Sequence, residues 1–190
     1  SYIKAASFVG RNQEFSRLVG ALNQTLGPKP AGSAWLIGGE SGVGKSRLVE
    51  ELRAMALVEG ALVLVGQSLK TGLPFQMWRN VLNRLILSTP MANFELGVLK
   101  EILPNLEDHL DRIVPDVATI QGKAGLQRLA KTVTDVFREQ QRPILLLLED
   151  LHWADEGLTI LKELVEHVSD LPLLIVATYR NDERPGLPQE

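Results

Sequence analysis

Five apolar residues in a row, Ile144-Leu145-Leu146-Leu147-Leu148, form the most hydrophobic run of the chain. A run this short and without alternation predicts a strand covered on both faces, as in a parallel sheet. Ala34-Trp35-Leu36-Ile37, residues 61–65 and residues 173–178 read the same way, as buried strands. Between these runs apolar residues recur at three- and four-residue spacing, which predicts amphipathic helices. Phe15, Leu18, Val19 and Leu22 mark one over residues 11–26, and Leu48, Val49, Leu52, Met55 and Ala56 mark one over residues 46–59. Leu126, Leu129, Val133, Val136 and Phe137 mark a third over residues 124–140, and residues 158–168 a further one. Pro74 is expected to open a helix that runs to residue 87, because proline is favoured in a first turn. Strands alternating with helices predict an α/β fold with a mostly parallel sheet covered on both faces.

Proline, glycine and polar residues divide the rest. Residues 1–6 read as a linker, and Gly27-Pro28-Lys29-Pro30-Ala31-Gly32 as a loop that cannot continue the preceding helix. Pro90, Pro104 and Pro115 cut residues 88–125 into short helical pieces, such as 93–103, read as an insertion between core elements. Residues 181–190 form a polar, Pro-rich tail. The whole chain, 1–190, is expected to be a single core domain.

Composition narrows the class. At 190 residues, 45% hydrophobic and 23% charged, the chain can bury one substantial core and does not resemble a disordered segment. A net charge of −3 gives no general attraction to nucleic acid. Without cysteine there is no disulfide, thiolate metal site or thiol nucleophile, which fits a reducing compartment. No apolar run approaches the roughly 20 residues that a membrane helix needs. The start at Ser1, with neither Met nor a signal-peptide pattern, is read as the start of a segment excised from a longer chain.

The strongest chemical signal is Gly39-Glu40-Ser41-Gly42-Val43-Gly44-Lys45-Ser46, a complete G-x-x-x-x-G-K-[ST] phosphate-binding loop. Its glycines let the backbone curl and aim successive N–H groups at an anion. Lys45 can reach the outer phosphates, the Ser46 hydroxyl can ligate Mg²⁺, and the following helix turns its positive end to the same place. A predicted strand precedes the loop and a predicted helix follows it, the order that the motif requires.

A phosphate loop binds nucleotide but does not cleave it. Hydrolysis also needs a carboxylate near Mg²⁺ and one that acts on the attacking water. Glu149 and Asp150 close the run 144–148 at the strand end where open α/β sheets bind ligands, the arrangement of a Walker B element.

Leu148-Glu149-Asp150-Leu151-His152-Trp153-Ala154-Asp155 resembles the signature of STAND/AAA-type P-loop signalling ATPases, the AAA ATPase domain found beside bacterial protein kinases, nucleotide cyclases and LuxR-type regulators. Phe8-Val9-Gly10-Arg11 resembles the family's N-terminal motif near the adenine, residues 39–47 its Walker A, and Ala177-Thr178-Tyr179-Arg180 the end of its fourth core strand. The resemblance implies a three-layer P-loop NTPase of the ASCE type, with ATP or ADP and Mg²⁺ as ligands. By that likeness Phe8, Val9, Gly10, Arg11 and Gly39 through Arg47 bind nucleotide, and Lys45 contacts phosphate. Ser46 and Glu149 hold Mg²⁺, the latter through water. Asp150 stands where a water-activating Glu is common, and its shorter reach predicts slow turnover. Arg180 is the first choice for the γ-phosphate sensor and Thr178 the second. The family's fifth strand and helical lid have no counterpart in these residues.

Other residues carry weaker readings. Asp155 fits a site residue and a helix N-cap equally well. His152 lacks ligand neighbours at metal spacing and reads as a packing or docking residue. His109 and His167 read as solvated helix residues and Arg47 as a surface residue. The expected function is an ATP-binding, slowly hydrolysing, Mg-dependent switch in a cytoplasmic multidomain signalling protein. Its expected partners are flanking domains (a Ser/Thr kinase or nucleotide cyclase) and its own copies in a nucleotide-dependent way, with no nucleic acid and no membrane. A nucleotide-holding scaffold without turnover, a small-molecule kinase and an origin-recognition-type DNA ATPase are the alternatives. The kinase lacks an arginine cluster for a second phosphorylated substrate, and the DNA ATPase lacks the basic charge.

Overall fold

The computed structural model describes residues 12–29, 31–71, 73–154, 156–180, 182–184 and 186. In chain order they form α1 (Asn12–Leu26), β1 (Ser33–Gly38), α2 (Lys45–Val58), β2 (Leu62–Gln67), α3 (Gln76–Ile86), α4 (Asn93–Leu99), α5 (Leu106–Leu110), α6 (Gly122–Glu139), β3 (Ile144–Glu149), α7 (Gly157–Glu166) and β4 (Leu173–Tyr179). One 3-10 turn, Leu151–Trp153, follows β3, and another, Val168–Asp170, precedes β4.

The strands form one sheet in the order β1-β4-β3-β2, and all three pairings are parallel. The alternating helices cover it as an α/β fold. Side chains that alternate along β2, β3 and β4 enter two separate cores. Leu145 and Leu147 of β3, with Leu174 and Val176 of β4, meet Leu18 and Leu22 of α1 and Leu48 and Leu52 of α2. Ile144, Leu146 and Leu148 enter a larger core that holds Trp78 and Leu82 of α3, Phe137 of α6 and Ile160 of α7. A strand buried on both faces must be apolar at every position, which explains the unbroken run 144–148.

Parallel pairing also brings the strand ends to one edge. Gln67 stands opposite Glu149, and Gly38 opposite Tyr179. The residues that follow β1, β2, β3 and β4 therefore emerge side by side.

β1 departs from the expected buried strand. Its residues alternate between half-buried and exposed, and Leu36 is 42% exposed. Among the described residues β1 pairs with β4 alone, so it lies at the edge of the sheet. Trp35 and Ile37 pack on the α1–α2 side. Ala34 and Leu36 border an apolar hollow of about 450 Å³ that Leu158 and Leu161 of α7 also line. The unbroken apolar run concealed this difference between the faces.

Pro74 also lies outside the helix it was expected to open. Leu73 N–H donates to Gln76 Oε1 at 3.0 Å, and Gln76 N–H returns a bond to the Leu73 carbonyl at 3.1 Å. This turn places Phe75 at φ 57 and delays α3 to Gln76. A Cβ on Gly66 would lie 2.5 Å from the Met77 carbonyl oxygen, so glycine allows α3 to approach β2 this closely.

Residues 88–121 hold the short helices α4 and α5 and contribute Leu96, Leu99, Ile102, Leu106 and Val114 to the larger core. Lys100 fastens the end of this segment, donating to the Val114 carbonyl at 2.6 Å, Asp116 at 2.8 Å and Glu107 at 3.3 Å. No helix among the described residues is long and apolar enough to cross a membrane.

Trp78 has no exposed surface, and its indole N–H donates to the Gly157 carbonyl at 2.9 Å, joining α3 to the start of α7. Trp78→Phe removes the indole donor and leaves a smaller ring in the core, so urea unfolding should show a loss of about 2 kcal/mol with an unchanged m-value.

Candidate functional site

The loop after β1 turns through two left-handed glycines, Gly42 at φ 82 and Gly44 at φ 90. A Cβ at either position would meet no atom within 4 Å, so conformation, not space, selects glycine there. α2 begins at Lys45, directly after Gly44, and no side chain caps it. Its first-turn N–H groups thus remain open to an anion, which is the donor set a phosphate needs.

This helix end borders a cavity of about 340 Å³ at the sheet edge. Ser41, Gly42, Gly44, Lys45, Ser46 and Arg47 form one wall, and Glu149, Asp150, Thr178 and Arg180 form the other. Two sequence motifs about a hundred residues apart therefore face each other. Gly39 and Glu40 contribute carbonyl oxygens that accept bonds from the Lys45 ammonium. Val43 is an exposed residue at the loop tip, and Arg47 also pairs with Glu51 on the surface of α2 at 3.2 Å. Phe8, Val9, Gly10, Arg11 and Asp155 lie outside the described residues.

The opposite wall is acidic and constrained. Burial raises the Glu149 carboxyl above the usual carboxylate range, and the charges of Asp150 and Glu50 add to the rise against the opposing effect of Arg53. Asp150 sits at φ 58, a left-handed conformation that Asp tolerates better than most residues. Its backbone N–H donates to Thr178 Oγ1 at 3.4 Å, and its Oδ2 accepts from Gln67 Nε2 at 3.2 Å. A cation between Ser46 and Glu149 would relieve the strained carboxylate. Mg²⁺ typically takes one or two carboxylates plus phosphate oxygens, so the donor set fits. Among the described residues no group of three or more His, Asp or Glu forms a metal cage of its own.

Gln67 was missed by the sequence reading. It ends a strand with no motif attached, and only the β2–β3 register sets it beside Asp150. The structural role of His152 was also hidden. The residue is buried, its Nδ1 accepts from the Arg180 backbone N–H at 3.3 Å, and its ring centroid lies 4.8 Å from that of Trp153. The ring is packed in the interior, one of the two roles, packing or docking, that the sequence reading offered. His109 is exposed and His167 half-buried beside Glu163, as surface helix residues would be.

The family model described as AAA ATPase domain matches residues 7–176. The chain belongs to the AAA ATPase domain family. Comparison with curated proteins gives no match. Membership makes nucleotide binding the chemistry of this P-loop domain, with hydrolysis as the reaction the family's name describes and Mg²⁺ as the usual companion ion. The matched stretch contains the loop and both carboxylates. Thr178 and Arg180 lie beyond it, and cavity geometry alone brings them to the AAA ATPase site.

A half-buried carboxylate held beside another opposes folding while no cation is bound. Glu149→Gln removes that charge at nearly equal size. It should raise the urea midpoint of the nucleotide-free protein and at the same time weaken Mg-dependent nucleotide binding, read by titration with ADP in Mg²⁺ and in EDTA.

Proposed function

We propose that this AAA ATPase domain is a Mg-dependent, slowly ATP-hydrolysing switch within a larger multidomain signalling protein of the STAND type. The observation that carries the reading is the single cavity in which the uncapped start of α2, Lys45 and Ser46 face Glu149, Asp150 and Arg180. The α2 N–H groups and Lys45 hold the phosphates, and Ser46 and Glu149 hold Mg²⁺, which when bound neutralises phosphate charge. Asp150 accepts the proton of the attacking water, with Gln67 fixing the direction of its carboxylate. Arg180 senses the γ-phosphate.

Slow turnover is supported by the Asp150 side chain, which is one methylene shorter than Glu. The same short reach favours, as the second reading, a nucleotide-holding scaffold without turnover. In the first reading the switch acts on flanking domains, a Ser/Thr kinase or nucleotide cyclase being the expected kind, and through nucleotide-dependent self-association.

Phosphate release separates the two readings. We expect slow Mg-dependent release that falls at least a hundredfold in Lys45→Ala, which loses positive charge against the phosphates in the transition state, and in Glu149→Gln, which loses the hold on Mg²⁺. Asp150→Glu should raise the rate, and no gain would count against the reach argument. Gln67→Ala should lower turnover about tenfold at unchanged nucleotide affinity, since a misdirected base costs rate without costing binding. Binding of nucleotide with no release above the Lys45→Ala background would leave the scaffold reading.

A further inference from the structure

Arg180 borders the phosphate cavity, yet its guanidinium is engaged elsewhere. Its Nη1 donates to Glu183 Oε1 at 2.8 Å. The backbone keeps that carboxylate close, because the Glu183 and Arg184 N–H groups both donate to the Arg180 carbonyl, at 3.3 and 3.1 Å. The turn is itself tied down where Arg184 Nη1 donates to the Ala154 carbonyl at 2.8 Å. Arg180 is also fixed through its main chain, by the bond from its N–H to His152 Nδ1. Its backbone is anchored twice, and its side chain is left to choose between Glu183 and the cavity.

The second oxygen of Glu183 has its own neighbour. Oε2 lies 3.6 Å from His152 Nε2, a buried ring nitrogen with no hydrogen-bond partner. Because Nδ1 accepts the Arg180 N–H, the neutral ring carries its proton on Nε2 and can donate there. A shift of a few tenths of an ångström would close that bond. If Arg180 swings into the cavity, Glu183 exchanges one donor for another and is not stranded.

We propose that Glu183 is the residue that sets the preference for nucleoside triphosphate over diphosphate, by holding Arg180 back until a γ-phosphate competes for it, with His152 receiving the released carboxylate. The inference rests on the reading in which Arg180 senses the γ-phosphate. Diphosphate offers the guanidinium no equivalent target, so the hold opposes triphosphate binding alone. A partly exposed Arg–Glu pair contributes little, which keeps the restraint weak enough for ATP to overcome.

Binding of ADP and of the non-hydrolysable β,γ-imido analogue of ATP, both with Mg²⁺, tests this in the full chain. Glu183→Gln should tighten the analogue about twofold to fivefold, the range that such a pair's strength corresponds to. ADP affinity should not change. Equal tightening of both nucleotides, or no tightening of the analogue, overturns the proposal. In Arg180→Ala the preference for the analogue should fall to what Lys45 and Mg²⁺ supply, and adding Glu183→Gln should then do nothing; a further gain in that background also overturns it. A preference undiminished in Arg180→Ala overturns the sensor reading itself, together with what rests on it. A preference reduced in Arg180→Ala but unmoved by Glu183→Gln removes only the hold by Glu183.

Discussion

Burial of β3 on both faces is the constraint from which the site follows. Leu145 and Leu147 require the α1–α2 layer, and Ile144, Leu146 and Leu148 require the α3–α6–α7 layer. A parallel strand cannot return by a tight hairpin, so each connection crosses the sheet through a helix and every strand ends at the same edge. At that edge the side chains leave the core, and polar residues become possible. Glu149 and Asp150 occupy the first positions at which β3 is released from double burial. The hydrophobic demand of the strand thereby places two carboxylates opposite the start of α2.

That placement is electrostatically uncomfortable, and the discomfort is local. Glu149 carries the cost of burial and of a like-charged neighbour. Asp150 adopts a left-handed backbone and is satisfied by Gln67 and Thr178 from the flanking strands β2 and β4. The cations around the cavity rest on protein oxygens, Lys45 on the loop carbonyls and Arg180 on Glu183. Charges of both signs are thus held near, but not upon, the space between the walls. Ligand phosphate and a divalent cation would compete with these internal partners one at a time, and each exchange replaces one charged contact by another. No charge is left without a partner in such an exchange, so the penalty of an unpaired buried charge is avoided.

The sequence made the loop, the four strands and the long helices legible because each depends on local pattern. The spacing of Leu129, Val133, Val136 and Phe137 settles a helix face without reference to the rest of the chain. The position of Gly39–Ser46 between an apolar run and a helical pattern was enough to place the phosphate loop. What stayed hidden depends on neighbours distant in sequence. Ala34-Trp35-Leu36-Ile37 looks like a buried strand, and only the strand order leaves Leu36 partly exposed at an edge. Gln67 bears no motif and acquires a role through register with Glu149. His152 gives no sign in sequence that its ring will meet the Arg180 main chain. Pro74 signals a helix start correctly in kind, but Leu73 and Gln76 close a turn first and move the start by two residues.

The edge is also coupled to the helical layer beneath it. The 3-10 turn Leu151–Trp153 buries Leu151 in the larger core while its next residue, His152, bonds to the end of β4. Four residues after Trp153, Gly157 accepts the indole bond of Trp78 from α3, and a Cβ there would crowd Met77 and Trp78. Met77 in turn accepts from Ser68, one residue beyond Gln67. The segment after β3 and the segment after β2 are therefore clamped by the same pair of buried residues. Displacing His152 would move Trp153 and strain the Gly157 contact, whereas Arg180 can reorient its guanidinium and Glu183 its carboxylate with neither backbone moving. The fold resists motion along the strand ends and permits it in the side chains that project from them. If the proposed switch operates, its change of lowest cost is a change of side-chain partners at a fixed edge.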